Sequence, residues 1–170
     1  MNDVKDFLVF AQPFINALKQ TFKVMMNSDI KMHSPQIKKD RKANGDITAT
    51  IGMNGLFEKG DQKTKFRGMV ALSWKEDVYL KMASAMLLTE YKVYCEDVAD
   101  AGAEIINIVM GNAKKDLNPM GYKIEMASPS TIRGISHELR YPTTTHVIES
   151  VVNSDFGDFT FEICFQESSI

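Results

Sequence analysis

Residues 96–118, EDVADAGAEIINIVMGNAKKDLN, contain no proline, so a single helix is expected through most of the stretch. At about 100° per residue, Val98, Gly102, Ile105, Ile106, Val109, Met110, Ala113 and Leu117 fall on one side. Glu96, Asp97, Asp100, Glu104, Asn107, Gly111, Lys114, Lys115 and Asn118 fall on the other. A stripe this apolar must be covered, so the chain has to build a second layer against it. The polar side places an acid and an amide, Glu104 and Asn107, as i, i+3 neighbours. Gly111 leaves a side-chain-free notch one turn later.

The remaining patterns say what the second layer is. Phe7, Phe10, Phe14, Leu18, Phe22 and Met25 recur at helical spacing, and Pro13 interrupts them. Either the helix begins near Pro13, since proline is tolerated in a first turn, or it is kinked there. The preferred reading is a main helix from Pro13 to Met26 with a helical or loose turn ahead of it. Ile30, Met32 and Ser34 alternate with Lys31 and His33 up to Pro35, as in an edge strand. The charged run over residues 37–46 contains the turn signal Asn44-Gly45. Ile47, Ala49, Ile51 and Met53 then alternate with Thr48, Thr50 and Gly52, and residues 66–74 are nearly continuously apolar. These form an antiparallel pair around the break at residues 58–63. Ser73, three residues before Glu76, predicts a capping box ahead of a helix over residues 78–88. Beyond Pro119, Tyr122, Ile124 and Met126 alternate, residues 128–134 are rich in turn formers, and residues 146–152 and 156–165 close as a strand pair. Helix, three strands, two helices, three strands reads as an α+β fold, with helices packed on a largely antiparallel β-sheet.

A chain of 170 residues is most simply one domain spanning 1–170. Its net charge of −2 points to neither nucleic acid nor an anionic membrane surface. No apolar run approaches the roughly 20 residues that span a bilayer. The N-terminus is acidic early and lacks the pattern of a signal peptide. Cys95 and Cys164 sit in no CxxC or Cys/His cluster, so the expected setting is the cytoplasm with two incidental thiols.

Familiar catalytic constellations are missing. The sequence has no G-x-S-x-G, Walker loop, Rossmann fingerprint or H-E-x-x-H. His33, His137 and His146 have no spacing for metal ligation or a triad, and structural or solvated roles are expected for all three. The acids at Asp40 and Asp46 lack the other residues of a calcium loop. Lys38, Lys39, Arg41 and Lys42, interrupted by aspartate and without aromatics, read as a solvated loop. By themselves Glu104 and Asn107 would read as a solvated helix face.

The wider string changes that reading. Asp100-x3-Glu104-x2-Asn107, then Gly111, Pro119 and Ser128-Pro129-Ser130-Thr131-Ile132-Arg133-Gly134, closely resembles the CheC/CheX/FliY family of chemotaxis response-regulator phosphatases. The family motif is an acid or serine, three residues, Glu, two residues, Asn, and a proline some twenty residues later. Here Pro129 follows Asn107 by 22 positions (129 − 107). PFINALKQTFKVM, residues 13–25, also looks like the first helix of CheX, and the resemblance covers nearly the whole chain. CheC and many FliY proteins carry two motifs and CheX one. Only one is present here, so the chain most resembles CheX.

The resemblance implies a protein phosphatase that hydrolyses the aspartyl phosphate of a phosphorylated CheY-like response regulator. It implies that Asn107 aligns the attacking water and that Glu104 pairs with the regulator's active-site lysine. It also implies a homodimer formed through the sheets, and no cofactor of the chain's own, Mg2+ being supplied by the bound regulator. Asp100, Gly111 and Lys114, with Lys115, are expected to contact the partner, and Pro129 to shape the support under the helix. The alternative is a non-catalytic module that binds a receiver domain, or dimerises, in a signalling or flagellar complex.

Overall fold

The computed structural model describes residues 4–142 and 146–168, so the acidic start at Met1 to Asp3 lies outside the described residues. Helix α1 (Val4–Met26) leads into two short strands, β1 (Lys31–Met32) and β2 (Gln36–Ile37). A long hairpin of β3 (Ile47–Lys59) and β4 (Gln62–Trp74) follows, turning at Gly60, whose φ is +60°. Then come α2 (Glu76–Leu87), α3 (Glu96–Ala99), α4 (Ala101–Leu117) and a 3-10 turn at Asn118–Met120. Strands β5 (Tyr122–Met126), β6 (Ser130–Arg133), β7 (Val147–Ser154) and β8 (Gly157–Ser168) complete the described residues.

The eight strands make one sheet in the order β1-β7-β8-β4-β3-β5, with β2 also pairing β7 and β6 also pairing β3. The strand pairs are antiparallel, as expected of the α+β class. Each margin of the sheet is thus shared by two short strands. The period-two pattern of β3 is borne out, since Ile47, Ala49, Ile51 and Met53 are buried on the helix side. In register with them lie Trp74, Leu72 and Val70 of β4, and then Phe159, Phe161 and Ile163 of β8. Helices α1, α2 and α4 cover this face.

Four details depart from the sequence expectation. Helix α1 does not begin at Pro13 but runs through it from Val4. Phe10, one turn ahead of the proline, is fully buried, with its ring centroid 4.4 Å from Phe165 and 5.0 Å from Tyr122. Burying such a ring contributes about 1.5–3 kcal/mol, comparable to the ~3 kcal/mol that an internal proline costs. The turn-rich residues after Pro129 contain a strand, β6, which pairs with Ile47–Thr50 of β3. Ser73 caps no helix; it is buried in β4, its hydroxyl 2.9 Å from Thr48 Oγ1. The α2 start is capped from a distance, because Asp46 Oδ2 accepts the Glu76 N–H at 3.1 Å. That reach depends on Gly45, where a Cβ would lie 2.3 Å from the Trp74 carbonyl oxygen.

The fourth departure is on the other face of the sheet. Residues 38–46 and 134–142 fold over it and bond to each other, through Ala43 N–H to the His137 carbonyl (3.0 Å) and Leu139 N–H to the Arg41 carbonyl (2.9 Å). Lys39, Asp40, Arg41 and Lys42 are exposed, as a solvated loop requires. Lys38 is not, its side chain being only 2% exposed. The reason is charge. Glu149 and Glu162 face each other across β7 and β8, and like charges directly opposite destabilise a sheet. Lys38 Nζ lies 3.0 Å from Glu162 and 3.1 Å from Glu149, and the Tyr141 hydroxyl donates to Glu162. Burial pulls the Lys38 ammonium down, but the two carboxylates outweigh it and hold its pKa above the ordinary lysine value. Burial pushes the Glu162 carboxyl up against the opposing pull of Tyr141 and Lys38. His137 is structural, its ring nitrogens 2.8 Å from the Gly134 carbonyl and from Thr48 Oγ1.

Lys38→Met would leave Glu162 buried without its cation. A loss of about 3–5 kcal/mol is expected in urea unfolding, with a substantial part regained on adding Glu162→Gln.

Candidate functional site

The site is built on α4, whose place is set by its buried stripe. Ile105, Ile106, Val109, Met110, Ala113 and Leu117 have no exposed area and pack between α1 and the sheet. Fixing one face of a helix fixes the other. Asp100, Glu104, Asn107, Lys114 and Lys115 are exposed, and Gly111 is half-exposed. The residues singled out from sequence are therefore brought together along one side, spaced +4, +3, +4 and +3 from Asp100 to Lys114. Among the described residues, no hydrogen bond or ion pair is made by the side chains of Glu104 and Asn107. An acid and an amide about 5–6 Å apart at Cβ are held outward on a rigid element with their polar capacity unused.

Gly111 fits the same description. A Cβ built there meets nothing within 4 Å, so no internal packing demands glycine. Glycine inside a helix costs roughly 0.5–1 kcal/mol relative to alanine, and this cost has no internal return. Lys114 and Lys115, in the last turn, complement the negative end of the helix dipole. Pro129 is half-buried where the chain turns from β5 into β6, and β6 reaches α4.

A single helix, α4, does run through most of the stretch from Glu96, but the first residues form a separate short helix, α3, broken from α4 at Asp100, whose φ and ψ are −95° and −3°. In a continuous helix the Gly102 N–H would bond to the Val98 carbonyl. Here the Tyr79 hydroxyl of α2 stands between them, accepting from Gly102 N–H at 3.0 Å and donating to the Val98 oxygen at 2.7 Å. A side chain inserted into the i→i−4 ladder is one of the few causes of a sharp kink. The Asp100-Ala101-Gly102 run, an acid and a glycine among good helix formers, is the only signal in the sequence, and it names no partner.

Sequence reasoning also missed a second group beside the break. Arg133 of β6 lies with its guanidinium carbon 4.3 Å over the Tyr94 ring, and its Nε and Nη2 donate to Glu76 Oε2 at 3.0 and 2.9 Å. The Tyr94 hydroxyl is pushed up by burial and by Asp100 and Glu76, against Arg133. The group bolts the starts of α2 and α3 to the sheet margin. Among the described residues, no cluster of three or more His, Cys, Asp or Glu could hold a metal ion. No described helix is long and apolar enough to cross a membrane.

Comparison with known proteins places the chain in a family. A family model, chemotaxis phosphatase CheX, matches residues 47–152, more than half of the chain. The chain belongs to the CheX family. The solved chemotaxis protein CheX from Desulfovibrio desulfuricans is similar, at 27% identity over 92% of this chain and 99% of that one, with a TM-score of 0.80. CheX from Vibrio vulnificus is 32% identical over 92% and 99%, with a TM-score of 0.78. A CheX-CheY-BeF3-Mg2+ complex from Borrelia burgdorferi shares the fold at 17% identity over 94% and 98%, with a TM-score of 0.73. No curated protein matches the sequence. The fold class and family read from the sequence are thereby borne out.

Gly111→Ala is expected to stabilise the free protein by about 0.5–1 kcal/mol, read as a higher melting temperature. A decrease would mean that the notch serves the fold.

Proposed function

We propose that this CheX-family chain dephosphorylates the aspartyl phosphate of a CheY-type response regulator, with α4 as its half of the active site. The observation that carries the reading is the pair Glu104 and Asn107, exposed and unpartnered at i, i+3 on a helix whose other face is fully buried. Support for the partner comes from the Borrelia CheX, which is solved together with CheY, beryllofluoride and magnesium.

The chemistry asked of such a pair is small. Hydrolysis of a phosphoryl group proceeds by in-line attack of water, and most of the catalytic gain lies in positioning and in charge neutralisation. The regulator supplies magnesium and a lysine that neutralise the phosphoryl oxygens. This chain supplies geometry. Asn107 both donates and accepts hydrogen bonds and stays uncharged beside a phosphate, so it can orient the water without repelling its target. Glu104 pairs with the regulator's lysine, and a charge-assisted bond at a desolvating interface fixes the register. Asp100, Gly111 and Lys114 complete the contact: an acid at one end, a notch for close backbone approach, and a cation at the other end. Self-association through a sheet would use one of the two margins, β1 with β2 or β5 with β6.

The test mixes the purified protein with a panel of phosphorylated receiver domains and follows phosphate release. Asn107→Ala is expected to slow the stimulated rate about 100-fold while binding persists; near-full activity in that variant removes the water-positioning role. Glu104→Lys sets like charges together and is expected to weaken binding about tenfold or more. Unchanged affinity would refute the lysine pairing, and tight wild-type binding without acceleration would favour a binding module.

A further inference from the structure

We propose that the buried hydroxyl of Tyr79 is a positioning group for the ridge, fixing the direction in which Asp100 is presented beside Glu104 and Asn107. The proposal rests on the reading of α4 as the partner-facing element.

The hydroxyl occupies the gap of one helical hydrogen bond. Val98 and Gly102 are both buried, so the inserted oxygen opens the ladder on the core side. Asp100, exposed and at the break, stands one turn ahead of Glu104, whose N–H bonds to the Asp100 carbonyl at 2.9 Å. Only a group that donates and accepts through one atom can satisfy both buried backbone partners, and a phenol does so. Burial pushes its pKa to about 12, which keeps the donated proton in place at neutral pH.

The ring is held as firmly as its hydroxyl. Tyr79 has no exposed area, and its centroid is 5.5 Å from that of Trp74 in an edge-on contact. Gly102 makes the fit possible. A Cβ there would stand 3.2 Å from both Tyr79 Cε2 and Ala49 Cβ, and 3.4 Å from the Trp74 ring. Gly102 is the close-approach glycine of this segment, Gly111 the open one. Without the hydroxyl, Val98 and Gly102 can satisfy each other only by closing directly, which straightens α3 onto α4 and turns Asp100 away.

Tyr79→Phe removes the one atom. Its Kd for a beryllofluoride-loaded receiver, and its KM for the phosphorylated one, are expected to rise about three- to tenfold. The kcat should stay within about twofold, because Asn107 sits deeper in α4. Asp100→Ala should raise Kd similarly, and the double variant should be no weaker than the worse single variant, the mark of two residues acting as one unit. Leu139→Ala, on the opposite face of the sheet, should lower the melting temperature without moving Kd, which separates positioning from stability. If Tyr79→Phe does not fold, Gly102→Ala, whose Cβ would crowd the ring at 3.2 Å and shift the hydroxyl, carries the same comparison. An unchanged Kd in the folded variant, or effects that multiply in the double variant, overturns the proposal. A wild type that binds the loaded receiver without hydrolysing phosphate refutes the phosphatase reading but leaves the Kd comparison decisive; one that binds no receiver overturns both.

Discussion

Everything at the candidate site depends on the burial of one helix face. Ile105, Ile106, Val109, Met110 and Leu117 are completely enclosed by α1 and the sheet, and each contributes about 1.5–3 kcal/mol relative to exposure. Because side chains on a helix are locked in angle to one another, this packing also fixes where Glu104 and Asn107 point. A pair of surface residues on a loop would have to be ordered at the moment of binding. On α4 that ordering has already been done by the core, which is what a positioning catalyst requires.

The packing also explains the limit of the helix. Trp74 ends β4 directly behind Gly102, and Tyr79 rises from α2 into the same space. These rings pack against the first turn of α4 and bring the Tyr79 hydroxyl to the point where the ladder opens. The chain resolves the crowding with a glycine at the contact and a hydroxyl in the ladder, and α3 starts afresh on the other side. The break thus lies where the sheet and α2 meet the start of α4.

How much could be read in the sequence follows the same division between local and distant causes. The stripe of α4, the alternation of β3 and the closing pair β7 and β8 are periodic patterns imposed by a single covered face, and they were legible. The ridge was legible too, since a helix that is apolar on one side declares its exposed residues. Its interpretation needed the longer string reaching to Pro129. What was hidden depends on residues far away in the chain. Pro13 looks like a helix start until Phe10 is seen between Phe165 and Tyr122. Ser73 looks like a cap until Asp46 takes that office from 30 residues away. Lys38 looks like one cation in a solvated run until two facing carboxylates, Glu149 and Glu162, are set against it. Tyr79 looks like an ordinary core aromatic.

The near-continuous apolar run of β4 illustrates the point from the other direction. A strand in a sheet with one covered face should alternate, yet Ala71, Leu72 and Ser73 are all buried. The run is apolar on both sides because the second face is covered as well, by residues 38–46 and 134–142, with Lys38, His137 and Tyr141 paired beneath them. The resulting division of labour is consistent from end to end. Several polar groups inside the protein are matched to one another, Thr48 with Ser73 and His137, Lys38 with its two acids, Tyr79 with a broken helix. Glu104 and Asn107 are left unmatched on the surface. On the proposed reading, the groups that match this pair belong to the partner, and the buried face of α4 is what holds the pair ready for them.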